Sequence, residues 1–291
     1  MKKFLQYFTC LAVPLLTLYA CRAEKVTDDK SLLWRISGNG LSKPSYLFGT
    51  IHMICKDDYF WTEAMKKALA ASDKVCFEMD MDDPEIFKMA AQGMADTSGK
   101  SLKDYFKVSD YEQLKQFMQD SLEVDISQLP DMKPMMLEMM LTAKMLPCPI
   151  PESYEANIMT TAQADKKEIL GLESIQEQMA LVNNVPDDSA ATELLQLADS
   201  FSSSKRQYAK MLANYKKQDL PALYDQVKKS EDGGMDMNAF LDNRNKKWIP
   251  RIEAKVRNNS VFFAVGAAHL YGPNGVINLL RKAGFTVVPI R

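Results

Sequence analysis

Ser45-Tyr-Leu-Phe-Gly-Thr-Ile-His52 and Val261-Phe-Phe-Ala-Val-Gly-Ala-Ala-His269 are the two stretches from which the fold can be predicted. Each is a short apolar run that ends in Gly-x-x-His, and such a run predicts a buried strand. The chain has two histidines, and these stretches contain both. Ligands bind at the carboxyl ends of strands in open α/β sheets, and histidine is both a metal ligand and a general base. We therefore predict that His52 and His269 share a site.

Two carboxylates accompany further predicted strands. Glu78 lies in the apolar strand 74–80, where a carboxylate is costly to bury unless it is paired or coordinated. Glu173 ends the strand 167–173 and precedes a capping box at 174–177. It is therefore either an acid favoured by the helix dipole or a second carboxylate at the edge of the sheet.

The two ends of the chain mirror each other. Strand, Gly-x-x-His, loop, helix and strand follow in this order at 45–80 and again at 261–290. We therefore predict an α/β fold whose sheet core combines the N- and C-terminal segments, with a helical cap inserted at about 84–258. Within the insertion, Arg244 and Trp248 share one helical face, where an arginine is ordinarily a solvated charge.

A methionine-rich segment spans residues 132–145, and its methionines recur at helical spacing. This spacing favours a helix that packs an adaptable core, in preference to a copper site. A pliable groove for peptides is a third interpretation, which applies if this face lines a cleft.

The first residues indicate export. Two lysines precede the apolar run 11–18, which is too short to span a bilayer, and Leu18-Tyr-Ala-Cys21 resembles a bacterial lipobox. We predict a signal peptide at 1–20, a lipid on Cys21 that anchors the protein to a membrane of the bacterial cell envelope, and a polar tether at 21–30. An ordinary secretory signal is the alternative.

Composition narrows the choice of function. Of 291 residues, 46% are hydrophobic and 25% charged, as in ordinary globular proteins, and the net charge of -2 gives no basic footprint for nucleic acid. Beyond Cys10 and Cys21 the chain contains Cys55, Cys76 and Cys148, and an odd number does not make a disulfide framework. Cys55 and Cys76 either pair with each other or are small buried residues, the latter being favoured; a ligand role for Cys55 stays open.

Together these motifs resemble the TraB/GumN family, also called TraB/PrgY/GumN, over almost the whole domain predicted at 31–291. The segments that carry the resemblance are Tyr46–His52, Glu78, Gly171–Glu173 with Gln178, Asn243–Asn245 with Trp248, and Val265–His269 with Gly272 and Gly275. The family is similar to Tiki-type metalloproteases and to erythromycin-esterase and ChaN-like folds. The resemblance therefore implies this type of α/β fold and metal-dependent peptide cleavage.

We accordingly predict a metal-dependent hydrolase, a peptidase, that takes a peptide or protein substrate. His52, His269 and Glu78 would hold a divalent metal (zinc, manganese or cobalt), leaving positions open for water. Glu173 would be the general base, unless the two glutamates exchange roles, and Arg244 would stabilise the developing oxyanion. The alternatives are a non-catalytic peptide- or ligand-binding lipoprotein and, with less support, a haem protein. The sequence does not predict the oligomeric state.

Overall fold

A computed structural model of the chain describes residues 30–86, 88, 99–183, 185–229 and 238–291. The fold is α/β, with a mixed sheet of six strands and a separate pair of short strands. In chain order the strands are β1 (Leu33–Gly38), β2 (Ser45–Thr50), β3 (Ile54–Cys55), β4 (Lys74–Met79), β5 (Pro151–Glu152), β6 (Glu168–Glu173), β7 (Val261–Gly266) and β8 (Phe285–Ile290).

The six strands lie in the order β6-β4-β7-β2-β1-β8. The four strands β6, β4, β7 and β2 run parallel, whereas β1 is antiparallel to both of its neighbours. Direct pairing of β2 with β7 confirms that both ends of the chain build one sheet. β6 lies within the segment predicted to be the insertion, yet it forms one edge of this sheet.

Nine α-helices occur in the parts of the chain that the structure describes. They are α1 (Glu63–Ala71), α2 (Val108–Leu122), α3 (Pro134–Ala143), α4 (Tyr154–Ala164), α5 (Ile175–Asn183), α6 (Asp187–Lys216), α7 (Leu220–Lys228), α8 (Asn243–Val256) and α9 (Val276–Lys282). A short π-helical turn, Asn238–Asp242, leads into α8. No helix of the described segments is both long and apolar enough to cross a membrane.

Two clusters of buried apolar side chains hold these elements. The larger cluster surrounds the sheet, where Trp34, Phe48 and Phe262 are fully buried. The smaller cluster joins α2 and α3 to the first half of α6 through residues such as Leu114 and Leu141. The helical part therefore has an apolar core of its own. Burying one such side chain contributes about 1.5–3 kcal/mol to the stability of the fold.

The Gly38-Asn-Gly40 signal in the sequence predicts a hairpin turn, and β1 and β2 form that hairpin. Gly38, Asn39 and Gly40 all have positive φ angles, of 77°, 48° and 78°. Glycine and asparagine tolerate this left-handed region, which explains why the turn falls at Gly-Asn-Gly.

Cys76 is a small buried residue, as the favoured prediction has it, whereas the prediction for Cys55 is wrong. Cys55 forms a disulfide with Cys148, and their Cα atoms lie 5.7 Å apart. Cys76 is a free thiol buried in the sheet. The partner was missed because 93 residues separate the two cysteines, and only the pairing of β3 with β5 brings them together. The disulfide also removes Cys55 as a free thiolate ligand.

Several predictions fall on parts of the chain that the structure leaves undescribed. The signal peptide at 1–20 and the lipidated Cys21 lie outside the described residues, as does almost all of the tether. The Asp83-Pro84 pair predicts a helix at 84–95, and most of this segment lies outside them too.

Candidate active site

The carboxyl ends of four neighbouring parallel strands form the candidate site. Glu173 ends β6, Glu78 lies near the end of β4, His269 follows β7 in a single 3₁₀ turn, and His52 lies two residues beyond β2. Arg244, at the start of α8, reaches this edge from the helical side. The fold therefore gathers the five predicted site residues at one edge of the sheet.

The glycines of the two Gly-x-x-His motifs permit close packing at this edge. A Cβ atom on Gly49 would meet Ala267 at 3.1 Å, so the turn after β7 could not pack against β2. The backbone amide of Gly266 donates a hydrogen bond to Oε1 of Glu78. A Cβ atom on Gly266 would lie 3.3 Å from the same oxygen. The motif glycines thus bring the strand ends and the carboxylate together.

Arg244 uses all five of its N–H donors. Nε and Nη2 donate to the carboxylate of Glu173 over 2.8–3.1 Å, and Nη2 also donates to Oε2 of Glu78 over 2.6 Å. Nη1 donates to the carbonyl of Phe240 and contacts Nε2 of His269, both over 3.2 Å. One buried guanidinium therefore links two carboxylates and an imidazole, which its rigid fork of donors suits.

The tautomer of His269 follows from its neighbours. Nδ2 of Asn245 donates to two carbonyls, those of His269 and Asn274, so Oδ1 of Asn245 is the acceptor that faces Nδ1 of His269 at 2.7 Å. Nδ1 therefore carries the proton, and Nε2 presents a lone pair. Burial lowers the pKa of His269 to about 4, so the ring is neutral at physiological pH. The ring of Trp248 lies against it, with centroids 4.4 Å apart.

Glu78 is a charged group inside this network. Burial alone would raise its pKa, but His269, Arg244 and the Gly266 amide outweigh burial and lower the pKa to about 2. Oε1 of Glu78 lies 3.8 Å from Nε2 of His269. An ionised carboxylate and a neutral imidazole lone pair therefore face the same small space.

His52 is held differently, because its side chain is 75% exposed. Nδ1 lies 3.3 Å from Oε1 of Glu155, at the start of α4, and this contact raises the pKa of His52. Thr50 and Ser153 donate hydroxyl hydrogen bonds to the same carboxylate. Burial would raise the pKa of Glu155, but His52 and Thr50 outweigh burial and lower it. His52 and Glu155 thus form a hydrogen-bonded pair in which each group favours the charged form of the other.

Sequence reasoning missed two members of this arrangement, Glu155 and Asn245. In the sequence, Glu155 is indistinguishable from an ordinary acid in the first turn of a helix, here one that Ser153 caps. Asn245 belongs to the Asn243–Asn245 motif, but nothing in its spacing indicates a contact with His269. Asn245 is a polar residue that is only 2% exposed, and such burial would have indicated a specific contact. Burial of a single residue, however, is known only once the fold is known.

A divalent metal fits part of this donor set. The 3.8 Å between Nε2 of His269 and Oε1 of Glu78 is longer than the roughly 3.3 Å that two bonds of about 2 Å span at a tetrahedral angle, so these two groups would have to approach each other to share a metal. A ligating histidine ordinarily donates its other N–H to an oxygen, as His269 does to Asn245. Across the described segments, however, no three His, Cys, Asp or Glu side chains converge closely enough to hold a metal. His52 as the third ligand therefore stays a prediction.

Comparisons with known proteins agree with the earlier resemblance. The model of the TraB/PrgY/gumN family matches residues 32–289. The chain is 23% identical to "Metalloprotease TIKI1" of Danio rerio and 26% identical to "Metalloprotease TIKI2" of Xenopus tropicalis, and each match covers 92% of the chain.

These relatives are longer than the chain. The matches cover 65% of the Danio rerio protein and 61% of the Xenopus tropicalis protein, so the chain spans less than two thirds of either. No solved structure matches the chain.

Proposed function

This chain belongs to the TraB/PrgY/gumN family, and we propose that it is a metal-dependent hydrolase of the bacterial cell envelope that cleaves peptides. The names of the two metalloprotease relatives support hydrolysis. We further propose that the helices outside the sheet form a cap over the site, in an arrangement of the ChaN and erythromycin-esterase type.

One observation about the two histidines carries the proposal. Each ring has Nδ1 beside an oxygen acceptor, Glu155 for His52 and Asn245 for His269, so Nε2 of each ring points away from that acceptor, and Nε2 of His269 contacts Nη1 of Arg244. Among the described residues, Nε2 of His52 has no hydrogen-bond partner. Ligating histidines are oriented in this way, and a histidine with a solely structural role does not need it.

The protein groups have separate tasks in this proposal. His269, Glu78 and His52 would hold the metal, which when bound supplies a water of lowered pKa and polarises the scissile carbonyl. Arg244 lies beside this position with its charge directed at it, and would stabilise the oxyanion that develops on the substrate. Glu173 accepts from both Nε and Nη2 of Arg244, so its contacts favour holding the arginine over acting as the general base.

The proposal is tested by the metal content of the purified protein beside a His52→Ala, His269→Ala double variant. We expect stoichiometric zinc, manganese or cobalt in the parent and none in the variant, with peptide cleavage that stops in chelator and returns with metal. Absence of metal from the parent after reconstitution with each of the three ions would refute the metal-dependent reaction.

A second function, peptide binding without cleavage, is favoured by one contact. Nη1 of Arg244 occupies the lone pair of His269 that a metal would need. A pure binding protein would keep its affinity for peptides in chelator, whereas the hydrolase would lose its activity there.

The proposed location depends on Cys21, whose lipid would anchor the protein in the cell envelope. A Cys21→Ala variant should leave the membrane fraction and appear in the soluble fraction. Retention of this variant in the membrane would refute the lipid anchor.

A further inference from the structure

A groove with a volume of about 1340 Å³ follows one face of α6. Its lining residues on this helix recur every three or four positions from one end to the other, as in Ser189, Glu193, Gln196, Ser200, Gln207 and Lys210. Side chains of α3 form the opposite wall along the first half of α6, and side chains of α7 form it along the second half. The groove therefore runs along most of α6.

One end of the groove reaches the candidate active site. Met53, the residue after His52, lines the groove, and its carbonyl accepts a hydrogen bond from Tyr208 of α6 over 2.9 Å. Phe240 also lines it, and its carbonyl accepts from Arg244. A molecule lying in the groove would therefore pass close to His52 and Arg244.

The walls suit an extended peptide. Met135 and Met139 of α3 face the groove, and Met139 is 57% exposed although it is apolar. Methionine side chains adapt to varied apolar partners, and the hydroxyl and amide groups of α6 can bind a peptide backbone. Met132 and Met140 pack instead against the smaller apolar cluster, so the methionines of this segment are divided between the groove and the core.

The far end of the groove is acidic. Glu138 of α3 and Glu193 of α6 both line it, and among the described residues neither forms an ion pair with a lysine or an arginine. Burial, and then the charge of Glu193, raise the pKa of Glu138. The other charged lining residues, Lys210, Asp225 and Lys229, lie on the second half of α6 and on α7.

The distance between the acidic end and the active site sets a spacing. Glu193 and Tyr208 are fifteen residues apart on α6, or roughly 22 Å at 1.5 Å per residue. An extended peptide advances about 3.3 Å per residue, so roughly seven residues cover this span.

We propose that the groove binds an extended peptide and that Glu138 and Glu193 hold a lysine or arginine side chain of that peptide, about seven residues from the active site. The occupant is chosen by charge complementarity with these two carboxylates, neither of which forms an ion pair within the described part of the chain. That this peptide is a substrate rests on the proposed function, whereas its binding does not.

The test measures the affinity of the full chain for a fluorescent, extended peptide that has leucine side chains and one lysine. Binding is followed by fluorescence anisotropy, and a chelator is present so that the peptide is not cleaved. The same peptide with methionine in place of lysine is the comparison. We expect the lysine peptide to bind about tenfold more tightly, as a charge-assisted hydrogen bond allows. A Glu138→Gln, Glu193→Gln variant should lose this preference, and Glu112→Gln, on the exposed face of α2, should keep it.

Other outcomes overturn the inference. The inference is refuted if the double variant keeps the preference for the lysine peptide, or if the parent binds neither peptide. It is also refuted if free lysine amide competes as well as the lysine peptide does. Removing two facing like charges should not unfold the protein, and a thermal melt of the double variant checks this. If the lysine peptide binds but is never cleaved in added metal, the groove is confirmed and the hydrolase proposal fails.

Discussion

Nη1 of Arg244 donates to the unprotonated Nε2 of His269 over 3.2 Å, and Nη2 of the same guanidinium donates to Glu78 over 2.6 Å. The two groups best suited to bind a metal are therefore both engaged by an internal cation. Because a lone pair cannot serve a guanidinium and a metal together, Arg244 and a divalent ion compete for His269. A metal-loaded state thus requires Arg244 to withdraw from His269, toward Glu173 and the substrate.

Replacing Arg244 tests this competition. An Arg244→Met variant leaves the carboxylates of Glu78 and Glu173 without their cation, and breaking such a buried pair costs about 3 kcal/mol. We expect urea unfolding to show this loss, and added zinc or manganese to restore part of it because a divalent ion can replace the lost charge.

An Arg251→Met variant is the matched control. Arg251 pairs with Glu177, both side chains are 35% exposed, and exposed pairs contribute at most about 1 kcal/mol. Equal losses in the two variants, or no response of Arg244→Met to metal, would contradict the competition.

Asn245 is expected to control metal affinity without contacting the metal. An Asn245→Leu variant removes the acceptor that fixes the Nδ1–H tautomer of His269, and loss of such a partner weakens metal binding about 10–100-fold. Isothermal titration of the metal-free protein measures the change. Asn278→Leu is the control, since Asn278 donates to the Gly272 carbonyl nearby and not to His269; a similar loss there would point to general disruption.

The sequence was informative where the local pattern and the contact coincide. The strands that end in His52 and His269 could be predicted because each apolar run and its glycine are contiguous. The Glu155–His52 pair could not be predicted, since 103 positions separate its members and the pair depends on where α4 packs. The role of Arg244 was suggested by resemblance alone, because a helical pattern does not reveal which carboxylates face an arginine.

The charge of His52 is expected to depend on Glu155. A Glu155→Gln variant removes the carboxylate that raises the pKa of His52, so this pKa should fall toward its ordinary value of about 6.5. With only two histidines, NMR titration of the ring protons in chelator resolves both. The signal of His269 should titrate near 4 in parent and variant alike, and an unchanged His52 in the variant would contradict the pairing.

Acid should destabilise the protein through His269. Its folded pKa of about 4 lies below the unfolded value of about 6.5, so the unfolded chain binds more protons between these values and stability falls as pH falls. The full effect is about 3 kcal/mol, at about 1.4 kcal/mol per pH unit.

The free energy of unfolding measured from pH 7 to pH 4.5 checks this expectation. A His269→Asn variant should lose most of the slope. The slope should persist in His52→Asn, because the pKa of His52 is raised and its contribution is lost only as pH rises above about 6.5. A slope that survives in His269→Asn would assign it to another group.

The disulfide is expected to stabilise both the fold and the His52–Glu155 pair. Cys55–Cys148 joins β3 to the segment that leads into β5, and α4 with Glu155 begins two residues after β5. Because the bond closes a span of 93 residues, a Cys148→Ala variant should lose about 4 kcal/mol in urea unfolding. The pKa of His52 should also fall in this variant, since the segment that carries Glu155 is no longer fastened to the loop that carries His52.

Cys76→Ala, which removes a buried free thiol, is the control. It should lose about 1 kcal/mol and leave the pKa of His52 unchanged. An unchanged pKa of His52 in Cys148→Ala would show that packing alone holds the pair.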